Sequence, residues 1–144
     1  MNKLWTRIVG TTAALAVSSL LIAQQIEKTP APEGAQLYIV SPQDGEVVTS
    51  PFTVIFGLQG MGVAPAGIQV GNTGHHHLLV DGEVLPDLDA PLGTNVTHFG
   101  AGQTQTTLTL EPGEHTLQLI LGDHLHIPHN PPVVSEQITI TVRQ

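Results

Sequence analysis

VSEQITITV, residues 134–142, carries the alternation that decides the fold. Val134, Ile138, Ile140 and Val142 fall on one face, and Ser135, Gln137, Thr139 and Thr141 on the other. Successive side chains of a strand point to opposite faces, so this is a half-buried β-strand with a polar, threonine-rich outer surface. The same period runs back through the chain in Phe52, Val54, Phe56 and Leu58, in Leu108 and Leu110, in Leu117, Leu119 and Leu121, and in Leu37 and Ile39. Turn-forming clusters separate these runs: Ser41-Pro-Gln-Asp-Gly45, Asp81-Gly82 and Glu111-Pro-Gly-Glu114. No stretch after residue 30 shows a capped helical period. The pattern predicts an all-β protein, an Ig-like or fibronectin-like antiparallel β-sandwich of about seven strands, at 36–40, 51–58, 75–80, 83–86, 104–110, 115–122 and 133–142. Two connections, 59–74 and 87–103, are long and rich in Gly and Pro, and long loops in a compact domain usually serve function or are disordered.

Composition bounds the chemistry. The 144 residues, 40 % of them hydrophobic, suit one domain. Lys and Arg number 4 against 12 acidic residues, a net charge of −8, which argues against nucleic acid as a partner because phosphate backbones need basic patches. Cysteine is absent, so disulfides, thiolate nucleophiles and Cys-ligated metals are excluded. At the N-terminus, Lys3 and Arg7 precede an uncharged apolar run from Ile8 to Ala23, the make-up of a signal peptide. The chain therefore divides into a signal peptide at 1–23, a Pro-containing linker at 24–35 and a β-sandwich at 36–144, with the periplasm or cell envelope as the expected compartment. Leu21 is bulky for a cleavage site, so an uncleaved anchor is the alternative, and the membrane is touched only through that segment.

GHHHLLVDG, residues 74–82, is the chemically distinctive stretch. In an up-and-down sandwich the loops before the third strand, before the fifth and after the sixth share one pole, and seven of the eight histidines belong there. His75, His76 and His77 open the third strand, His98 lies in the next long loop, and His124, His126 and His129 lie in GDHLHIPHNPP. His115 begins a strand at the other pole and reads as a residue closing the core. Imidazole is the commonest metal-binding side chain and is largely neutral near pH 7. The candidate metal ligands are His75, His76, His77, His98, His126 and His129, with His77, His98, His126 and His129 as the central set. Strand geometry limits the triplet: His75 and His77 share one face and His76 takes the other, so all three cannot reach one ion. Leu78 and Leu79 put an apolar side chain on each face and leave the choice open.

All-nitrogen ligation suits copper or zinc as the cofactor ion, and two methionines with no cysteine leave no blue-copper site. Asp81 and Asp123 are candidates to orient ring N–H groups, although Asp81 also fits a simple Asp-Gly turn. No nucleophile motif, HExxH or phosphate-binding loop is present, so no catalytic residues are assigned. The leading reading is an exported protein that handles a transition metal. Its alternatives are a metal-dependent enzyme with an open His-ligated position, and an interaction module for an envelope protein partner through a pH-sensitive histidine surface.

The combination FGLQGMGVAPAG, NTGHHHLLVD, HFGAGQT, PGEHTLQLILGD and HIPHNPPVVSEQITITV resembles a family of small exported bacterial domains of unknown function, across residues 36–142. The resemblance implies an exported origin and a histidine-bearing surface, and no known activity. Within it, His75, His76, His77, His98, His115, His126 and His129 match the family pattern, while His124 is an addition of this chain.

Overall fold

The computed structural model describes residues 27–144; the expected leader at 1–23 and the first residues of the expected linker lie outside the described residues. Nine strands and no helix occur among the described residues: β1 (Gln36–Ser41), β2 (Val47–Thr49), β3 (Phe52–Gln59), β4 (Gly62–Val63), β5 (Thr73–Val80), β6 (Thr97–His98), β7 (Gln105–Leu108), β8 (Gly113–Gly122) and β9 (Ile138–Arg143). They form two sheets. The smaller has the order β1-β3-β7, and the larger β2-β9-β8-β5-β4 with β6 also paired to β5.

The alternating apolar faces meet between the sheets. Leu37, Phe52, Val54 and Phe56 from the small sheet pack against Leu78, Leu117, Leu119, Leu121, Ile140 and Val142 from the large one. Burial of these side chains, each contributing about 1.5–3 kcal/mol, is the main force holding the sandwich closed. The expected β-sandwich is therefore the observed architecture, with the pairing predominantly antiparallel and two short parallel pairs, β2 with β9 and β4 with β5.

Several elements depart from the expected pattern. Residues 83–86 form no strand and belong instead to a loop running from Asp81 to Val96. The last strand begins at Ile138, not at Val133, because strict alternation would place Glu136 on the core face. The chain breaks register there: Ser135 donates its amide to the Leu119 carbonyl (2.9 Å) while its Oγ accepts the Leu119 amide (2.8 Å), and Glu136 is exposed. Val133 consequently joins the core between the sheets, whereas Val134 packs on the outer side. Strands β2, β4 and β6 have only two or three residues, too few to display a period.

The large sheet is covered on its outer face as well. Leu79 and Ile120 project outward and are capped by Leu92 and Val96, with Leu88 and Val134 at the margin. These capping residues come from the 81–96 loop and the segment after β8. Of the expected linker, residues 27–35 are described, and they lie across both covering segments. Lys28 Nζ donates to the Leu88 carbonyl (2.8 Å) and pairs with Asp89 (2.9 Å), while the Ala31 amide donates to the Asn130 carbonyl (3.0 Å) and the Asn130 amide to the Thr29 carbonyl (3.0 Å). Among the described residues no helix is long and apolar enough to cross a membrane.

Candidate metal centre

The site is built from the outer face of β5. His75 and His77, two residues apart, share that face with Leu79, and both rings are 0 % exposed. They lie side by side with ring centroids 4.5 Å apart. Room for the His77 ring depends on Gly122 of β8: a Cβ there would lie 2.6 Å from His77 Cε1 and 3.1 Å from its Nδ1. Glycine leaves the gap into which the imidazole packs.

His126 meets this pair from the loop after β8. Asp123 shapes that loop. Its Oδ1 accepts the amides of Leu125 (2.9 Å) and Ile127 (3.0 Å), its carbonyl accepts the His126 amide (2.9 Å), and its own amide donates to the Ile127 carbonyl (2.9 Å). An aspartate that accepts main-chain amides two and four residues ahead folds the chain into a tight turn. His126 is thereby held in the left-handed region at φ 64, sparsely populated by residues other than glycine, and its carbonyl accepts the Leu92 amide (2.9 Å). Such backbone strain persists where surrounding contacts enforce it, commonly at functional sites. Thr29 Oγ1 donates to the second Asp123 oxygen (2.6 Å).

The three rings converge on one atom. His75 Nε2 lies 2.9 Å from His126 Nδ1 and His77 Nε2 lies 3.2 Å from it, and the ligand nitrogens of the three fall within 4.8 Å of one another. His98 arrives on β6, whose backbone pairs His98 with His77, and its Nδ1 is 3.1 Å from the same His126 nitrogen. Its Nε2–H donates to the Gly93 carbonyl (2.8 Å), so the lone pair of that ring is on Nδ1, toward the cluster.

These contacts cannot all be hydrogen bonds. A neutral imidazole nitrogen has either one hydrogen or one in-plane lone pair, so His126 Nδ1 cannot satisfy three neighbouring nitrogens. The far sides of the buried rings offer no relief, since among the described residues Nδ1 of His75 and Nδ1 of His77 have no hydrogen-bond partner. A buried polar atom without a partner costs about 1–3 kcal/mol. Protonation does not resolve the crowding either. Burial, followed by the neighbouring His126 and His98, lowers the His75 pKa to about 4, and burial, followed by His75, His98 and His126, lowers that of His77 to about 3. The Ile120 carbonyl, which works the other way on His77, lies outside hydrogen-bonding geometry. Burial and then His98 lower the His126 value too. Burial alone would raise the nearby Asp123 carboxyl, but the Thr29 hydroxyl and the two amides outweigh it and hold that group ionised below its ordinary range. His75, His77 and His126 are therefore neutral at physiological pH, with converging ring nitrogens next to a buried carboxylate, which is a donor set suited to a divalent transition metal.

Of the six candidate ligands, the structure brings together His75, His77, His98 and His126. His76 points to the opposite face of β5, into the core between the sheets. Its ring packs tilted against Phe56 with centroids 5.0 Å apart, its Nδ1–H donates to the Gln103 carbonyl (3.2 Å), and its Nε2 has no partner among the described residues. His129 is also fully buried but apart from the cluster, with Nε2 3.2 Å from the Thr73 carbonyl oxygen and Nδ1 3.4 Å from that of Leu121. Ile127-Pro128 does not hold His126 and His129 toward one point: His126 lies inside the Asp123–Ile127 turn at φ 64, and His129 follows after Pro128 has paired back with Gly122. His124 lies outside the cluster, its Nδ1 4.0 Å from Asp123. At the far end His115 donates from both ring nitrogens, to Asp81 Oδ2 (2.8 Å) and to the Glu111 carbonyl (2.9 Å), and the Asp81 bond raises its pKa. Asp81 thus serves its own turn and His115, far from the cluster, while Asp123 orders the ligand loop. The cluster sits on the outer face of the large sheet, under the 81–96 loop, and not across the tip of the sandwich. Leu88, Leu92 and Val96 of that loop pack on Leu79 and Ile120 of the same sheet face, while Val84, at the same spacing of four, is exposed, so the spacing alone does not mark the covering residues.

Fold and site together define a class: an all-β sandwich with a buried histidine group able to hold a metal ion. The chain belongs to the family described as Domain of unknown function (DUF4399), whose model matches residues 54–143 and so spans all eight histidines. No curated protein and no solved structure matches the chain.

Proposed function

We propose that this domain binds one copper or zinc ion through His75 Nε2, His77 Nε2 and His126 Nδ1, with His98 Nδ1 as fourth ligand, and that it handles the metal in the cell envelope. The observation that carries the reading is the crowding of three imidazole nitrogens, at 2.9, 3.1 and 3.2 Å, on the single Nδ1 of His126. Zinc–nitrogen bonds of about 2.0–2.1 Å place tetrahedral ligands about 3.3 Å apart, so the three spacings to His126 Nδ1 are within a few tenths of an ångström of that value, while the nitrogens that lie farther apart, up to 4.8 Å within the group of His75, His77 and His126, close in around the ion. Rings buried without other partners, a strained His126 and a carboxylate that orders its loop all support a metal as the group that stabilises the arrangement. The apolar run at Ile8–Ala23 supports the envelope as the compartment.

The test is metal analysis of protein purified without a histidine tag, followed by titration with Cu(II) and Zn(II) of the wild type and of a His77→Ala/His126→Ala double variant. One tightly bound equivalent in the wild type and none in the variant is the expected result. Substoichiometric metal in the wild type, with equal affinities for the two proteins, would rule the reading out.

A further inference from the structure

The four clustered rings are not held alike. His75 and His77 are 0 % exposed and fixed within β5, and His126 is half-buried in a loop locked by Asp123. His98 is exposed, sits on a strand of two residues, and is tethered outside the cluster by one hydrogen bond, to Gly93 in its own loop. It also stands outside the mutual group formed by the ligand nitrogens of the other three, and of those nitrogens its Nδ1 reaches that of His126 within hydrogen-bond distance.

We propose that His98 is the exchange ligand of the centre: the ion enters and leaves on its side, and water takes its coordination position when the ring swings away. This rests on the metal-binding reading above. The step is a simple ligand substitution, in which one metal–nitrogen bond breaks, one metal–oxygen bond forms, and no electron is transferred. The three inner rings cannot play this part, because moving His77 or His75 means displacing buried side chains, and moving His126 means opening the Asp123 turn. Releasing His98 breaks its metal–nitrogen bond and one exposed hydrogen bond, to Gly93, and leaves its backbone pairing with β5 intact. The arrangement separates retention, assigned to three buried nitrogens, from access, assigned to one exposed nitrogen.

The experiment follows Zn(II) release from the loaded full chain to a chromophoric chelator by stopped flow, with folding of each variant checked by circular dichroism. His98→Ala is expected to keep one equivalent of zinc and to release it about 10–100-fold faster, the usual scale for losing one supporting group at a metal site. Millimolar free imidazole is expected to slow release from His98→Ala by occupying the vacated position and to leave the wild type unchanged. Either of two results overturns the proposal: release from His98→Ala at the wild-type rate, or loss of binding in His98→Ala as complete as in His126→Ala. A wild type that takes up no zinc at all would instead fail the underlying reading, and that is seen before any variant is made.

Discussion

Gly122→Ala is the smallest change that puts the site geometry at risk. The new methyl carbon would lie 2.6 Å from His77 Cε1, 3.1 Å from His77 Nδ1 and 3.3 Å from His126 Cα. Carbon atoms in ordinary contact sit about 3.5–4 Å apart, so the His77 ring must retreat by roughly 1 Å. Metal–ligand distances tolerate only about ±0.2 Å, so a shift of that size removes His77 Nε2 from the ion. The expected loss in zinc affinity is at least 10–100-fold, equal to about 1.4–2.7 kcal/mol, with about 1–3 kcal/mol of overpacking cost to the metal-free fold. Gly122 does not occupy the left-handed region, so the effect is one of space and not of backbone conformation. Gly71→Ala, where a Cβ would meet nothing within 4 Å, is the control and should match the wild type. Competition titration against a chromophoric chelator, beside urea denaturation of the metal-free proteins, measures both quantities. A folded Gly122→Ala protein with wild-type zinc affinity would show that His77 is not held against the ion by the space at Gly122.

Three further outcomes are expected. His76→Leu should leave zinc affinity unchanged and stability within about 1 kcal/mol of the wild type, since it removes a buried nitrogen without a partner from an apolar surface at the expense of one bond to Gln103; a drop in affinity by calorimetry would place the metal on the other face of β5. Metal-free protein should lose stability as pH falls from 6.5 toward 4, because the unfolded chain takes up protons that His75 and His77, lowered to about 4 and about 3, refuse while folded. Their contribution is complete above pH 6.5 and falls by up to about 1.4 kcal/mol per pH unit for each ring, so urea midpoints that stay flat from pH 7 to pH 5 would contradict it. Saturating zinc should raise the thermal midpoint in a concentration-dependent way, worth about 2.7 kcal/mol at one hundred times Kd, and a scanning-calorimetry midpoint unmoved by zinc would be the opposing result.

The strands were legible where their period ran long enough to see. Phe52 to Leu58 and Leu117 to Leu121 announce their faces because four or more residues alternate, whereas β2, β4 and β6 are set by neighbouring strands and leave no local trace. In the last strand, alternation continues on paper through Val134, but Glu136 interrupts it, and a break in register moves Val134 to the outer side. The candidate site was legible in its ingredients and in one geometric constraint, that His76 must face away from His75 and His77. Which face carried the ligands was not readable, because both faces of β5 are buried, one by the second sheet and the other by a loop whose cover depends on tertiary contacts. His126 and His129 looked equivalent around Ile127-Pro128. Their separation comes from Asp123, whose turn sends one imidazole to the cluster and the other into the interior.

The most direct test of the central claim is long-range proton–nitrogen NMR of ¹⁵N-labelled protein loaded with one equivalent of Zn(II), which reports for each histidine which ring nitrogen carries the metal. Zinc is expected on Nε2 of His75 and His77 and on Nδ1 of His126 and His98, with His76, His115, His124 and His129 metal-free. Zinc on His76 or His129, or all eight rings unchanged on adding zinc, would contradict it.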